Sequence, residues 1–427
     1  MSPLAQVTPY YAATAHDVPQ RAALTDSINC DVCIVGGGLA GCSAALHLAE
    51  RGYAVALLES HRIGWGASGR NGGQAHVGTA AAPETIESLV GAGPARAIWD
   101  VSVEALALVR ALIERYRIAC DWTPGHMQVA IRARQEAELR SMLEVLHNTY
   151  GYRSARFMNG TELTRVLAST RYRAAVYDTN AGHLHPLNYT LGLAAAAERS
   201  GARLFESTRA LEYHGDSPVR VRTTHGEVRC RQLVLCGNVY LGAVAPALAA
   251  KIMAVGTCII ATEPLGAEHI AALIANRAAV SDMNWVLDYF RPSADQRLIF
   301  GGRVTYSGFD PARIAASTRR RMVRVFPQLA AARVEHAWGG YVDITLNRAP
   351  HFGRLSPSVY FLQGFSGHGL ALAGMAGKLV AEAIAAQAER FDVFARIPHH
   401  DFPGGRLLRR PALVLAMLYY RLRDLLP

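Results

Sequence analysis

The feature that most restricts the possible folds is Gly36-Gly37-Gly38-Leu39-Ala40-Gly41, which satisfies the pattern G-x-G-x-x-G. A β-type run, 31–35, leads into it. Residues 39–51 follow with apolar side chains at helical spacing, and Gly52 stops them. The next apolar run, 53–58, ends in Glu59. This is a β-α-β unit in about thirty residues. The first glycine permits a tight turn, the second lets the backbone approach a pyrophosphate, and the third lets helix and strand pack closely. The pyrophosphate would rest on the open N–H groups at the helix start, which makes Gly36, Gly38, Leu39, Ala40 and Gly41 candidate binding residues. Glu59 stands 59 − 36 = 23 positions after the first glycine, where a carboxylate accepts hydrogen bonds from a ribose diol and repels a 2′-phosphate.

Two further segments decide which dinucleotide is expected. Arg62-Ile63-Gly64-Trp65-Gly66-Ala67-Ser68-Gly69-Arg70-Asn71-Gly72-Gly73-Gln74 is dense in glycine, hydroxyl, amide and guanidinium groups. A simple NAD domain has no need of such a segment directly after its second strand. Near the other end, Gly364-Phe365-Ser366-Gly367-His368-Gly369 joins the apolar run 359–362 to an alanine-rich helical stretch, 369–390. Two anion-suited turns far apart in sequence suit a long cofactor lying extended across the domain, so FAD is expected rather than NAD.

The rest of the chain alternates. Helical spacing covers 84–118, 134–150 and 187–200; strands are expected at 128–131, 203–213, 219–223 and 233–236; and 252–308 is rich in strands and aromatics. The expected class is α/β (α+β overall), an FAD-binding Rossmann-like domain with a second, mainly antiparallel-sheet substrate domain. The partition is an arm at 1–25, a cofactor domain from 26–82, 155–247 and 333–395, a substrate domain from 83–154 and 248–332, and a tail helix at 396–427.

Composition removes several classes. Net charge is +10, yet the only lysines are Lys251 and Lys378, and the arginines are spread along the chain. A nucleic-acid reader concentrates its charge on one element, so none is expected as partner. Seven cysteines form no disulfide framework, and Cys30 and Cys33, three apart on a strand, point to opposite faces. No apolar run reaches the roughly 18 residues of a transmembrane helix. The longest candidate, 411–420, is bracketed by arginines and reads as a packed or surface-lying helix. The N-terminal MSPLAQVTPYY lacks the marks of a secretion signal, which makes the cytoplasm the expected compartment. His183 and His185, placed on one strand face, lack a third ligand, and no metal is expected.

Over nearly its whole length the chain resembles the FAD-dependent D-amino-acid oxidase and glycine/sarcosine oxidase superfamily, and within it the bacterial gamma-glutamylputrescine oxidoreductases. The matching stretches are Cys30-Asp-Val-Cys-Ile-Val-Gly-Gly-Gly, Arg62 to Gln74, Gly182-His-Leu-His-Pro-Leu-Asn, Gln363-Gly-Phe-Ser-Gly-His-Gly and Phe402-Pro-Gly-Gly-Arg. The resemblance implies that Gly36, Gly38 and Gly41 take the pyrophosphate and Glu59 the adenosine ribose. It sets Ser60, Arg62, Ala67 and Ser68 beside the phosphates, and Arg70, Asn71, Gly72, Gly73 and Gln74 along the isoalloxazine. Ala210 would meet the adenine, Gly237 would close the pyrophosphate pocket, and Gly364, Ser366, Gly367, His368, Gly369 and Leu370 would face the pyrimidine end.

Some members attach FAD through a cysteine; 343–352 has none, so dissociable FAD is expected. Oxidase members use a lysine near the flavin that 298–300 lacks, and many relatives carry an acid at Asn347. The implied reaction is hydride transfer from a small-molecule amine to flavin N5. It gives an imine that water hydrolyses to an aldehyde, with O2 as expected acceptor. His368 is expected to support the reduced ring, and Tyr289 and Arg303 to grip a distal carboxylate, within a substrate region that also holds Trp285, Phe290, Arg291 and Tyr306. Two alternatives stay open: an amino-acid dehydrogenase passing electrons to a quinone, and a non-catalytic nucleotide-binding or redox-sensing protein.

Overall fold

The computed structural model describes residues 9–305 and 310–403, without the side chains of 303–305 and 311. Two sheets organise it. In the first, the strand Ile28–Val35 runs parallel to Val55–Leu58 on one side and to Glu227–Leu235 on the other. Arg203–Phe205 and Val359–Gln363 extend the parallel set outward, and His351–Ser356 closes one edge antiparallel. Parallel strands covered on both faces read as unbroken apolar runs, and Val32, Cys33 and Ile34 are fully buried. The helix Leu39–Ala49 is buried at every position. It packs against Gly369–Ile384, where a side chain at Gly377 would come within 2.5 Å of the Ala40 carbonyl oxygen. Ser43 Oγ donates to the Gly374 carbonyl at 2.6 Å across that contact.

The second sheet has nine strands, antiparallel except where Ala279–Asp282 runs parallel to Thr123–Ala130. Its long strands Met253–Thr262 and Val334–Ile344 carry the helix Pro311–Val325, whose Ile314, Met322 and Val325 share a core with Phe290 and Phe300. This bears out the expected pairing of a Rossmann-like domain with a mainly antiparallel second sheet.

Several boundaries differ. Ala155–Met158, Ala174–His183 and Val334–Ile344, assigned above to the cofactor domain, hydrogen-bond within the second sheet. The helical stretch at 84–118 is two helices, Pro83–Val90 and Ala92–Tyr116, parted by Gly91 at φ +84°. The expected 369–390 helix ends at Ile384, two residues before Ala386 takes φ +65°, and Glu389–Ala395 forms another. The described part of the arm is tied down: Tyr10 and Tyr11 join a core with Ile259 and Trp338, Tyr10 donates to Asp295, and Arg291 donates to the Tyr11 hydroxyl. Most of the tail, including 411–420, lies outside the described residues. Among the described residues no single helix is long and apolar enough to cross a membrane. One bent pair, Gly369–Ile384 with Glu389–Ala395, passes that test together, but the first of these is a core helix.

Candidate functional site

A cavity of about 1810 Å³ is lined by residues of both sheets. At one end lies the glycine turn. Gly36 takes φ +115°, and a side chain there would meet the Cys236 backbone at 2.7 Å; one at Gly41 would come within 1.9 Å of the Gly36 carbonyl oxygen. Only glycine tolerates both conditions. Ser68 Oγ accepts from the Leu39 N–H at 2.9 Å, so the loop after the second strand caps the helix start. Glu59 accepts from the Gly37 N–H at 2.7 Å and from the His61 N–H at 2.8 Å. Its carboxylate thereby braces the turn it was expected to serve.

Of the candidate residues, Gly36, Gly38, Leu39, Ala40, Glu59 and Ser60 line this end, with Ala210 and Gly237 opposite. Ala67, Ser68, Asn71, Gly72 and Gln74 line the middle, and Ser366, Gly367, His368, Gly369 and Leu370 the far wall. Asn71 is locked by donating to the Ala67 and Ser68 carbonyls while accepting from Gly73.

Five candidates do not line the cavity, and each has a packing role. Gly41 sits beneath the turn. Arg62 donates to the Val18 carbonyl and pairs with Glu206 at 3.3 Å, tying the loop to the arm. Arg70 is buried, donates to the Trp65 carbonyl and lies 5.2 Å from that indole. Gly73 accepts from Leu184, and Gly364 donates to Asp343. Arg62 and Arg70, both expected to flank the cofactor, have their guanidinium groups held by the Glu206 carboxylate and by the Val18 and Trp65 carbonyls.

Tyr289 lines the cavity with its ring packed between Gly72 and Gly301, and burial pushes its hydroxyl pKa up. The Arg303 side chain and Tyr306 lie outside the described residues. Phe290 and Arg291 are core residues, Arg291 holding the Gly72 and Leu184 carbonyls. His183 and His185 do not share a strand face. His183 ends a strand and contacts the Arg277 carbonyl, whereas His185 caps the helix Pro186–Arg199. No metal-binding cluster occurs among the described residues, and all seven cysteines are free.

Sequence reasoning missed three contributors. His76 lines the cavity just after the two-residue strand Gln74–Ala75. His126 and Gln128 project from the strand Thr123–Ala130, with Ser281 Oγ 3.1 Å from His126 Nε2. His368 Nε2 lies 2.7 Å from His76 Nδ1 and 2.9 Å from the Val77 carbonyl. Burial lowers both His126 and His368 to about 4 and holds His76 well below its ordinary value, so all three are neutral at pH 7. Asp343, fully buried and lifted by burial to about 6, accepts from the N–H groups of Gly364 and Phe365 and holds the second glycine turn.

The glycine cradle at a helix start and a cavity larger than the usual 300–1,000 Å³ of a small-ligand pocket fit a dinucleotide with room for a second molecule. Comparison with known proteins agrees. The family model described as "FAD dependent oxidoreductase" matches residues 31–383. The chain is 41% identical to the gamma-glutamylputrescine oxidoreductase of Escherichia coli over 97% of each chain. It is 38% identical to a probable oxidoreductase, OrdL, of Haemophilus influenzae over 98% of this chain and 97% of that one. Among solved structures, glycine oxidase from Geobacillus kaustophilus has the same fold, with TM-score 0.71 at 21% identity over 84% of this chain and 95% of its own. The chain is therefore a member of the FAD-dependent oxidoreductase family, an enzyme that binds FAD.

Proposed function

We propose that this enzyme oxidises a primary amine of the gamma-glutamylputrescine type at the carbon bearing nitrogen, with O2 as acceptor. The product is an imine, which water hydrolyses to an aldehyde and ammonia. The observation that carries the reading is one continuous cavity joining the glycine cradle at Gly36 to a compartment walled by Tyr289, Gln128, His126 and His368. The relative's identity over 97% of both chains supports the substrate class.

The proposed FAD contacts follow from the walls. The turn from Gly36 to Ala40 holds the pyrophosphate, Glu59 the ribose, Ala210 the adenine and Gly237 the adjoining backbone. Asn71, Gly72 and Gln74 border the ring, and the Ser366 to Leu370 turn presents a helix start to its far edge. When bound, FAD supplies a two-electron acceptor for a hydride. Helix N–H groups from Gly369 onward favour negative charge at that edge. The apolar ring of Tyr289, with its raised hydroxyl pKa, excludes water and stays neutral.

No histidine here is suited to deprotonate an alkylammonium. His368 and His126 lie near 4, whereas such an ammonium loses its proton near 10.4, as in lysine. The amine must therefore arrive neutral or give its proton to water. Anaerobic mixing of the yellow enzyme with gamma-glutamylputrescine, putrescine, sarcosine and D-amino acids tests the assignment. Rapid bleaching by the first, with one ammonia and one aldehyde per flavin reduced, is expected. Bleaching only by the amino acids would reject the amine assignment.

A further inference from the structure

The cavity wall contains an arrangement that the reaction above leaves unused. His76 and His368 stand with ring centroids 3.8 Å apart and His126 lies 5.2 Å from His76, all three facing the cavity. The Val77 carbonyl can only accept, so the hydrogen between it and His368 sits on His368 Nε2. The same Nε2 is 2.7 Å from His76 Nδ1, and two N–H groups cannot face each other at that distance. His76 Nδ1 is therefore a bare acceptor sharing the His368 proton, and the His76 hydrogen is on Nε2. Among the described residues His368 Nδ1 has no partner.

We propose that His76 and His368 form one proton-sharing unit that takes up a proton at His368 Nδ1 when the FAD in this cavity is reduced. The proposal rests on the cavity being the FAD site. His76 is a positioning residue. By accepting from His368 Nε2 it turns a neutral hydrogen bond into a charge-assisted one once His368 becomes an imidazolium. The balance is closed. A hydride brings two electrons and one proton and leaves one added negative charge on the cofactor. The second proton comes from solvent and goes to His368 Nδ1, so two electrons are accompanied by two protons.

The surroundings make the unit responsive to that charge. The groups bearing on it are His126 from Thr123–Ala130, Arg348 from the loop after Val334–Ile344, and the helix start at Gly369. Among the described residues no carboxylate contributes to any of the three histidines. Burial and Arg348 oppose an imidazolium at His368, against the favourable bond to the Val77 carbonyl, and an added negative charge in the cavity shifts the balance toward one.

The test is the midpoint potential of the holoenzyme as a function of pH. Each proton taken up with two electrons gives a slope of about 30 mV per pH unit. The wild type should fall by about 60 mV per unit from about pH 5 upward and relax to about 30 mV at alkaline pH. His76→Leu should give about 30 mV throughout while keeping the oxidised flavin spectrum. His76→Gln, whose amide oxygen can accept from His368, should restore the steeper slope. A wild-type slope of about 30 mV at every pH, or a steep slope surviving in His76→Leu, would overturn the proposal. A wild type that binds no FAD would instead defeat the reading on which it rests.

Discussion

Replacing Glu59 with glutamine separates two roles that the structure superimposes on one carboxylate. Its oxygens already accept from Gly37 and His61, at 2.7 and 2.8 Å, and Ser60 Oγ lies 3.3 Å away. An ionised carboxylate offers about four acceptor positions, so with the Ser60 hydroxyl also donating to Oε1, the free one for a ribose hydroxyl is on Oε2. Glutamine retains one oxygen and places an NH2 group against one of the two backbone N–H groups. A charge-assisted bond contributes about 1.5–3 kcal/mol. Part of that loss falls on the turn with or without cofactor. The remainder, with the weakened ribose contact, should appear as FAD affinity reduced by roughly 1–2 kcal/mol, or about 5- to 30-fold. Reconstitution of the apoprotein, followed by quenching of flavin fluorescence, gives the dissociation constant, and thermal unfolding of the apoprotein reports the structural share. A lowered melting temperature with unchanged FAD affinity would show that Glu59 only braces the turn.

Other consequences are equally accessible. Acid precipitation should release all the FAD, since the only cysteine on the cavity wall among the described residues is Cys236, beside the Gly36 turn; yellow pellets would indicate a covalent link. Asp343→Ala leaves the Gly364 and Phe365 N–H groups without their acceptor and should cost roughly 2–4 kcal/mol in denaturant unfolding. Asp343→Asn should be far milder. Because burial raises the Asp343 pKa to about 6, the native state binds the proton more tightly than the unfolded chain. That contribution to stability is present at acid pH and fades as pH rises toward 6, and the asparagine variant should lack it. His368→Ala should weaken sulfite binding to the flavin and slow flavin reduction, yet leave the rise of reduction rate with pH in place, because a histidine near 4 is already neutral across that range. Loss of the pH dependence with normal sulfite binding would make His368 the base.

What was legible in the sequence is what local rules decide. Gly36 is demanded by its own φ of +115° and Gly41 by the Gly36 carbonyl, both inside one β-α-β unit, so their spacing announces that unit. Guanidinium groups are different, because their partners are chosen by tertiary packing. Nothing near Arg62 in sequence reveals that Glu206, brought in by a neighbouring strand, will hold it. The strand Ala174–His183 escaped notice because it mixes buried and polar positions without clean alternation. The histidine pair could not be read at all, since 292 positions separate His76 from His368. Asp343 was visible as a residue, but its task depends on the chain returning at Gly364, 21 positions later.

The central claim is that one cavity holds FAD at the Gly36 turn and an amine beside it. Anaerobic titration of the purified enzyme with gamma-glutamylputrescine tests it most directly. The account predicts that one equivalent of the amine bleaches one equivalent of bound flavin and that admitting O2 restores the yellow colour. Tightly bound FAD that no amine reduces would contradict it.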